Sequence, residues 1–326
     1  MPGSHPAAAD RRDLHGLVVE ARCAAGVDPA ALLLGLLPPA APGAAPGLAI
    51  DTAVAAHPGE LEPAGAIAFA VPGVELRLTA DGATVFGHGG AVALLAARLR
   101  VRTRAPLDAP GAQALAQVPL LLALLAALRP LGLHHLHAGT AVAPDGRALL
   151  VAGDSGSGKS TLTAALVRAG CGYLGDDVVL LGAGPRLLAF PRAFHLSDRA
   201  AEAIGGPPRP PDERRTPLGK RALDPGVLFP GQGRHEAPAP AALLFPHVVD
   251  RADTVLRALS GAEALGRLLE SSALVAVKAL PGTREHLALL GAIVDGARAF
   301  EVELGRDLLL DAARSAGRVL QAALRG

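Results

Sequence analysis

The apolar run ALLVA at 148–152 passes directly into GDSGSGKSTL, and beyond it Leu162, Ala165, Leu166 and Ala169 recur on one side of a helical spacing. A short continuous apolar run ending in glycines reads as a buried strand, and the three-to-four spacing after it as an amphipathic helix over 160–169 closed by Gly170. Ahead of the run, TAVA and RALLVA flank Pro144-Asp145-Gly146, a hairpin signal. With Asp145-Gly146 as a two-residue turn, Pro144 pairs with Arg147 and His137 falls opposite Asp154, while His134 and His135 lie outside the ladder. Downstream come GYLG, the pair Asp176-Asp177, the strand VVLL, and a further strand within RLLAFPRAF. The tail reads as helices over 262–269 and 285–296, a strand AFEVEL, and a last helix over 308–324.

The N-terminal third is written less clearly. The pattern predicts a helix over 10–25, a short apolar piece at 32–37 and a helix over 90–100. GVELRLTADGATVFG alternates apolar and polar positions and turns at Asp81-Gly82, which predicts a hairpin. A helix over 114–128 stops at Arg129-Pro130. The expected organisation is a small α/β appendage over 1–105 and an α/β main domain over 106–326. Between packed elements of the latter, PPRPPDERRTPLGKR at 207–221 is a polar, proline-rich excursion and a candidate functional loop.

Composition narrows the classes. Half of the 326 residues are apolar and only 2% aromatic, so the core is built from Leu, Val, Ile and Ala. The net charge of +1 is spread over mixed signs, which excludes the basic face of a nucleic-acid binder. Cys23 and Cys171 lie far apart with no metal-binding spacing, which fits a reducing cytoplasm. The N-terminus has no signal-peptide pattern, and the apolar run 118–128 is interrupted by Pro119 and too short to span a bilayer. No membrane partner is expected, and the oligomeric state stays open.

The chemistry centres on the loop. Gly153, Gly158, Lys159 and Ser160 satisfy G-x-x-x-x-G-K-[ST] in a chain whose only other lysines are Lys220 and Lys278. In such a loop the backbone of Gly153, Asp154, Ser155, Gly156, Ser157, Gly158, Lys159, Ser160 and Thr161 cradles phosphates. Lys159 reaches the β/γ-phosphates of ATP and the Ser160 hydroxyl ligates Mg²⁺. The helix carries the chain about 15 Å away and the strand GYLG returns it by roughly 13 Å, so Asp176 and Asp177 come back beside the phosphates. Adjacent residues on an extended chain project oppositely, which divides the two carboxylates between metal and phosphoryl acceptor. Arg214, Arg215, Lys220 and Arg221 form a compact basic group that suits a γ-phosphate or an acidic substrate, and equally a solvated loop.

Residues 137–181, with a His before a hairpin, GDSGSGKS, and an Asp-Asp pair one helix and one strand later, resemble the catalytic core of the HPr kinase/phosphorylase family. The resemblance implies a compact P-loop kinase fold, related to that of ATP-dependent phosphoenolpyruvate carboxykinase, acting on a Ser or Thr hydroxyl of a small protein or peptide. Short relatives occur with peptide-modification machinery. Carried over by position, Lys159 and Ser160 hold phosphates and Mg²⁺, Asp176 is the catalytic base, Asp177 a metal ligand and His137 a neighbour of the reacting phosphate. Thr161 stands where the family carries an acidic residue, and its downstream Gly-rich segment is not found, which speaks against reverse phosphorolysis.

Two other readings compete for the loop. ALSGAEAL at 258–265 imitates the signature of transporter ATPases, but no apolar strand ending in Asp-Glu follows it. Ser260 and Glu263 instead predict a capping box. A non-catalytic or ATPase-type nucleotide-binding module would keep Gly158, Lys159 and Ser160 without needing a base.

Overall fold

The computed structural model describes residues 9–79, 82–210, 216, 219–278 and 280–325. It is a mixed α/β chain that divides into two compact units, Met1–Leu131 with Val277–Pro281, and Gly132–Ala276 with Gly282–Gly326. The boundary falls at 131, so the apolar helix that sequence reading placed in the main domain belongs to the first unit.

Within the first unit the strands are β1 (Asp10–Leu14), β2 (Leu17–Cys23), β3 (Leu48–Val54), β4 (Ala66–Val71), β5 (Val74–Thr79), β6 (Gly82–Gly87), β7 (Gly90–Leu95) and β8 (Arg98–Thr103). They form one sheet in the order β1-β2-β3-β8-β7-β6-β5-β4. Two expected helices are hairpins instead. The 10–25 segment turns at His15-Gly16, both with positive φ, and pairs Leu14 with Leu17. The 90–100 segment turns at Ala96, φ 47°, and pairs Leu95 with Arg98. In both, sheet pairing overrides the helix propensity of Ala, Leu and Arg. The expected hairpin at Asp81-Gly82 is seen in the β5–β6 pairing, Thr79 opposite Gly82; Asp81 itself lies outside the described residues.

Helices α1 (Pro29–Leu34), α2 (Ala109–Leu115) and α3 (Leu121–Leu128) complete the unit, and α3 packs on β6, β7 and β8. Pro119 does not interrupt the apolar run, because a π-turn over Ala116–Leu120 absorbs it and joins α2 to α3. The resulting Ala109–Leu131 segment, 23 residues, is long and apolar enough to cross a membrane, contrary to the sequence reading. Every residue of α3 is buried within the structure, so its apolar surface is already covered.

The second unit holds a six-stranded sheet whose strands are β10 (Ala138–Val142), β11 (Ala148–Ala152), β12 (Gly172–Gly175), β18 (Pro240–Val248), β19 (Val255–Ala258) and β20 (Arg298–Leu304), in the order β12-β10-β11-β18-β20-β19. A four-stranded sheet combines β9 (His134–Leu136), β13 (Val179–Leu181), β14 (Leu187–Ala189) and β17 (Glu236–Ala237); β15 (Phe194–Leu196) pairs with β16 (Arg221–Leu223). The helices are α4 (Lys159–Arg168), α5 (Asp198–Ala203), α6 (Pro225–Leu228), α7 (Gly261–Glu270), α8 (Thr283–Gly296), α9 (Asp307–Leu310) and α10 (Ala312–Leu324).

Period-two alternation on β11 explains the layers. Leu149 and Val151 join Leu162, Leu166, Ala316 and Val319 in a core under α4 and α10, whereas Ala148, Leu150 and Ala152 join Leu268, Leu290 and Ile293 under α7 and α8. Gly139 on β10 lets α4 approach: an added Cβ would lie 2.2 Å from Thr163 Oγ1. The capping box of Ser260 and Glu263 opens α7 as expected.

Candidate functional site

The hairpin ahead of the loop has three residues rather than two. Ala143 pairs with Arg147 and Gly146, φ 88°, takes the left-handed position, which shifts the register by one. Ala138 therefore faces Ala152, and His137 is not a ladder partner of Asp154 as the two-residue turn required. His137 is instead the point where the chain leaves the four-stranded sheet at β9 and enters the six-stranded sheet at β10. The return chain makes the same change of sheet between β12 and β13, and Val179 pairs with Leu136 while Tyr173 pairs with Ala141. Two crossings stacked on each other bring Asp176 and Asp177 beside His137.

Asp177 occupies that crossing with φ 74°, a left-handed conformation that Asp tolerates better than most residues. His137 Nδ1 lies 2.9 Å from the Asp177 backbone oxygen and 3.1 Å from its Oδ1, and Arg192 donates to Oδ2 at 2.6 Å. Arg192 is anchored in turn, its carbonyl accepting from the Tyr173 hydroxyl at 3.1 Å. Burial alone would raise the Asp177 pKa, but the His137 hydrogen bond and the charges of Arg192, His137 and His195 overcome it and hold the carboxyl well below the usual range.

Asp176 is the opposite case. It is 1% exposed, and neither carboxylate oxygen has a hydrogen-bond partner among the described residues. Burial, and then the neighbouring charge of Asp177, push its pKa up to about 7, against the Ser160 hydroxyl, Lys159 and His137. Ser160 thus lies near enough to favour the charged form without a formed hydrogen bond.

The loop curls through glycines at positive φ: 144° at Gly153, 87° at Gly156 and 100° at Gly158. Gly158 caps α4 without a side-chain hydrogen bond, so the first-turn N–H groups of Lys159, Ser160 and Thr161 remain for an acceptor outside the helix. Asp154, Ser155 and Gly156 are exposed, and Ser157, Ser160 and Thr161 are half-buried. Lys159 is buried and folds back on the loop, donating to the carbonyls of Gly153 at 2.7 Å and Asp154 at 2.8 Å. Desolvation lowers its pKa, opposed by Asp177, Asp176 and Asp154.

Lys159, Ser160, Asp176, Asp177 and His137 therefore form one cluster. Sequence reasoning missed Arg192 and His195, which reach it from the segment around β15; an Arg and a His in PRAFH carry no spacing signal by themselves. His195 is electrostatically coupled to Asp177, Arg192 and Lys220, and burial lowers its pKa. Of the expected basic group, Lys220 is coupled to both Lys159 and His195. Arg221 is buried and donates to the Pro207 carbonyl at 3.1 Å. Arg214 and Arg215 lie outside the described residues.

No family model matches the chain, and no curated protein does. Among solved structures, the Hpr(Ser) kinase/phosphatase from Coxiella burnetii is similar over 58% of this chain and 93% of that one, at 12% identity and a TM-score of 0.27.

Proposed function

We propose that the chain is an ATP- and Mg²⁺-dependent kinase that transfers the γ-phosphate to a Ser or Thr hydroxyl of a small protein or peptide. The observation that carries this reading is the meeting of a lysine-bearing glycine loop with two adjacent carboxylates in opposite electrostatic states, one buried and uncompensated, the other neutralised and partly exposed. A module that only binds nucleotide has no need of the second carboxylate or of the Arg192 and His137 that orient it.

The donor set suits a hard divalent cation, since Ser160 offers a hydroxyl and Asp176 an uncompensated carboxylate. Among the described residues no group of three or more His, Cys, Asp or Glu could hold a metal by themselves. That accords with Mg²⁺, which takes one or two protein ligands and completes its shell with phosphate oxygens and water. When bound, the cation would neutralise charge developing on the β- and γ-phosphoryl oxygens.

These environments support exchanging the roles expected from sequence. Asp176, with Ser160, would hold the cation. Asp177, whose side chain is 32% exposed, can be reached by an acceptor hydroxyl, and both of its oxygens are already paired with cationic or imidazole groups. Its lowered pKa makes it an orienting hydrogen-bond acceptor rather than a strong base, which suffices for a loose phosphoryl-transfer transition state. Lys159 would exchange the carbonyls of Gly153 and Asp154 for phosphate oxygens, and the free N–H groups of α4 would face the same anion.

The test is incubation of the purified chain with γ-labelled ATP, Mg²⁺ and Ser- or Thr-containing peptides, followed by location of the label. The reading expects label on a hydroxyl, and expects Asp177→Asn to remove transfer while nucleotide affinity stays within about twofold. Label released only as inorganic phosphate, at equal rates in both proteins, would favour an ATPase-type module.

A further inference from the structure

Arginine supplies nearly all of the chain's positive charge, and lysine occurs three times. Lys278 is exposed, but Lys159 and Lys220 are drawn to one place. The fold explains how. β15 pairs with β16 in antiparallel register, His195 opposite Ala222 and Leu196 opposite Arg221, so Lys220 stands one residue ahead of that ladder. A turn closes behind it: the Lys220 N–H donates to Thr216 Oγ1 at 3.1 Å, its carbonyl accepts from the Thr216 N–H at 2.9 Å, and Gly219 donates to the Thr216 carbonyl at 2.8 Å. The ribbon thus presents three basic side chains to the acid pair and the phosphate loop: Arg192 just ahead of β15, His195 within it, and Lys220 at the start of β16.

These charges are not balanced alike. Arg192 is committed to Asp177, 2.6 Å away. Lys220 is half-buried and has no ion pair among the described residues. Lys159 has none either, and donates to two uncharged carbonyls. The Lys220 charge acts through space against that of Lys159 and against a protonated His195. Asp177, Asp176 and Asp154 ease this at Lys159, but none of them pairs with Lys220. Two ammonium groups held within repulsive range, both partly out of water, cost free energy that an anion lodged between them turns into attraction. Lys159 marks the β/γ end of the phosphates, and His195 acts on Asp177, which orients the acceptor. The space that Lys220 shares with both is that of the phosphoryl group in transit.

We propose that Lys220 is a catalytic residue, a second lysine that contacts an oxygen of the transferred γ-phosphoryl group. The inference rests on the kinase reading above and deepens it by adding a residue from outside the phosphate loop. In the transfer the acceptor oxygen bonds to phosphorus while the bond to the β–γ bridging oxygen breaks. ADP leaves with that electron pair, and the hydroxyl proton passes to Asp177 and on to water. Charge in a loose transition state spreads over the equatorial oxygens, and a compact ammonium suits a single oxygen where a guanidinium fork would span two.

The experiment compares nucleotides that differ in the γ-phosphate. Fluorescent ADP and a fluorescent non-hydrolysable ATP analogue are titrated into the full chain at fixed Mg²⁺, for the wild type, Lys220→Ala, Lys220→Arg, and Lys278→Ala as a control for losing a lysine elsewhere. Lys220→Ala should weaken the triphosphate analogue about tenfold and leave ADP within about twofold, with Lys220→Arg recovering part of the loss. In turnover with labelled ATP and a Ser peptide, kcat should fall at least as far while the peptide KM stays within about twofold. A merely structural lysine would move both nucleotides together, so equal losses for ADP and the analogue, or no loss for either, overturn the inference. The same γ-selective loss in Lys278→Ala would overturn it as well. A wild type whose preference for the triphosphate disappears in Lys220→Ala, yet which transfers no label, would condemn the kinase reading alone.

Discussion

Replacing Asp176 by Asn gives a stability signature that depends on pH and on little else. The carboxyl is fully buried and its pKa rises from 3.8 to about 7, chiefly through desolvation. Between pH 4 and 7 the folded chain keeps this proton while the unfolded chain releases it, so wild-type stability falls as pH rises through that window and levels off above it. At ~1.4 kcal/mol per pH unit the full penalty is of order 4 kcal/mol, of which about 2–3 kcal/mol accrues between pH 5 and pH 8. Asn carries no charge to desolvate, and its own packing cost is the same at each pH and drops out of the difference. Thermal unfolding followed by far-UV circular dichroism at pH 5, 6, 7 and 8, without nucleotide, should show Asp176→Asn gaining on the wild type as pH rises. The gain should reach about 5–10 °C between the ends of the range. Adding Mg²⁺ and ATP should close the gap, since the cation compensates the wild-type carboxylate. Two melting curves that stay parallel from pH 5 to pH 8 would show that Asp176 is compensated in the folded chain and would refute the reasoning.

Lys159→Ala should weaken binding of a fluorescent ATP analogue by tenfold or more, through loss of a charge-assisted contact of about 1.5–3 kcal/mol, measured by titration at fixed Mg²⁺. Arg192→Gln removes one of the groups that depress Asp177; the stability this carboxylate contributes above its unfolded pKa, and loses as pH falls through its folded one, will then be lost at higher pH. Acid titration of helical content should show the unfolding limb displaced upward, and an unmoved limb would mean that His137 alone holds the charge. Gly139→Val places atoms against Thr163 and should cost about 1–3 kcal/mol by urea unfolding, with nucleotide affinity falling as α4 is displaced. Ser260→Ala removes the capping box of α7 and should cost about 1 kcal/mol with no effect on nucleotide affinity.

What could be read in advance was whatever local chemistry decides. The 148–170 segment carries its own strand, turn and helix signals, and the Ser260 cap is a four-residue pattern; both appear as expected. The segments at 10–25 and 90–100 are rich in Ala, Leu and Arg, good helix formers, yet each is a strand pair whose fate is set by neighbours such as β3, distant in sequence. The hairpin register failed by one residue because Pro-Asp-Gly fits a two-residue and a three-residue loop, and that single step decides what faces His137. The cluster of His137, Asp176 and Asp177 was still legible, through chain return rather than pairing. Arg192 was not, because its approach to Asp177 depends on the path between β14 and β15, which no local pattern encodes.

The central claim is that the lysine-bearing loop and the acid pair act on one nucleotide-bound cation. Electron paramagnetic resonance of Mn²⁺ with ATP on the purified chain tests it most directly. The account predicts a protein-bound Mn²⁺ with phosphorus couplings from the nucleotide, and cation affinity reduced about tenfold or more in both Ser160→Ala and Asp176→Asn, whose effects overlap in the double variant. Mn²⁺ bound with undiminished affinity in Asp176→Asn would contradict it.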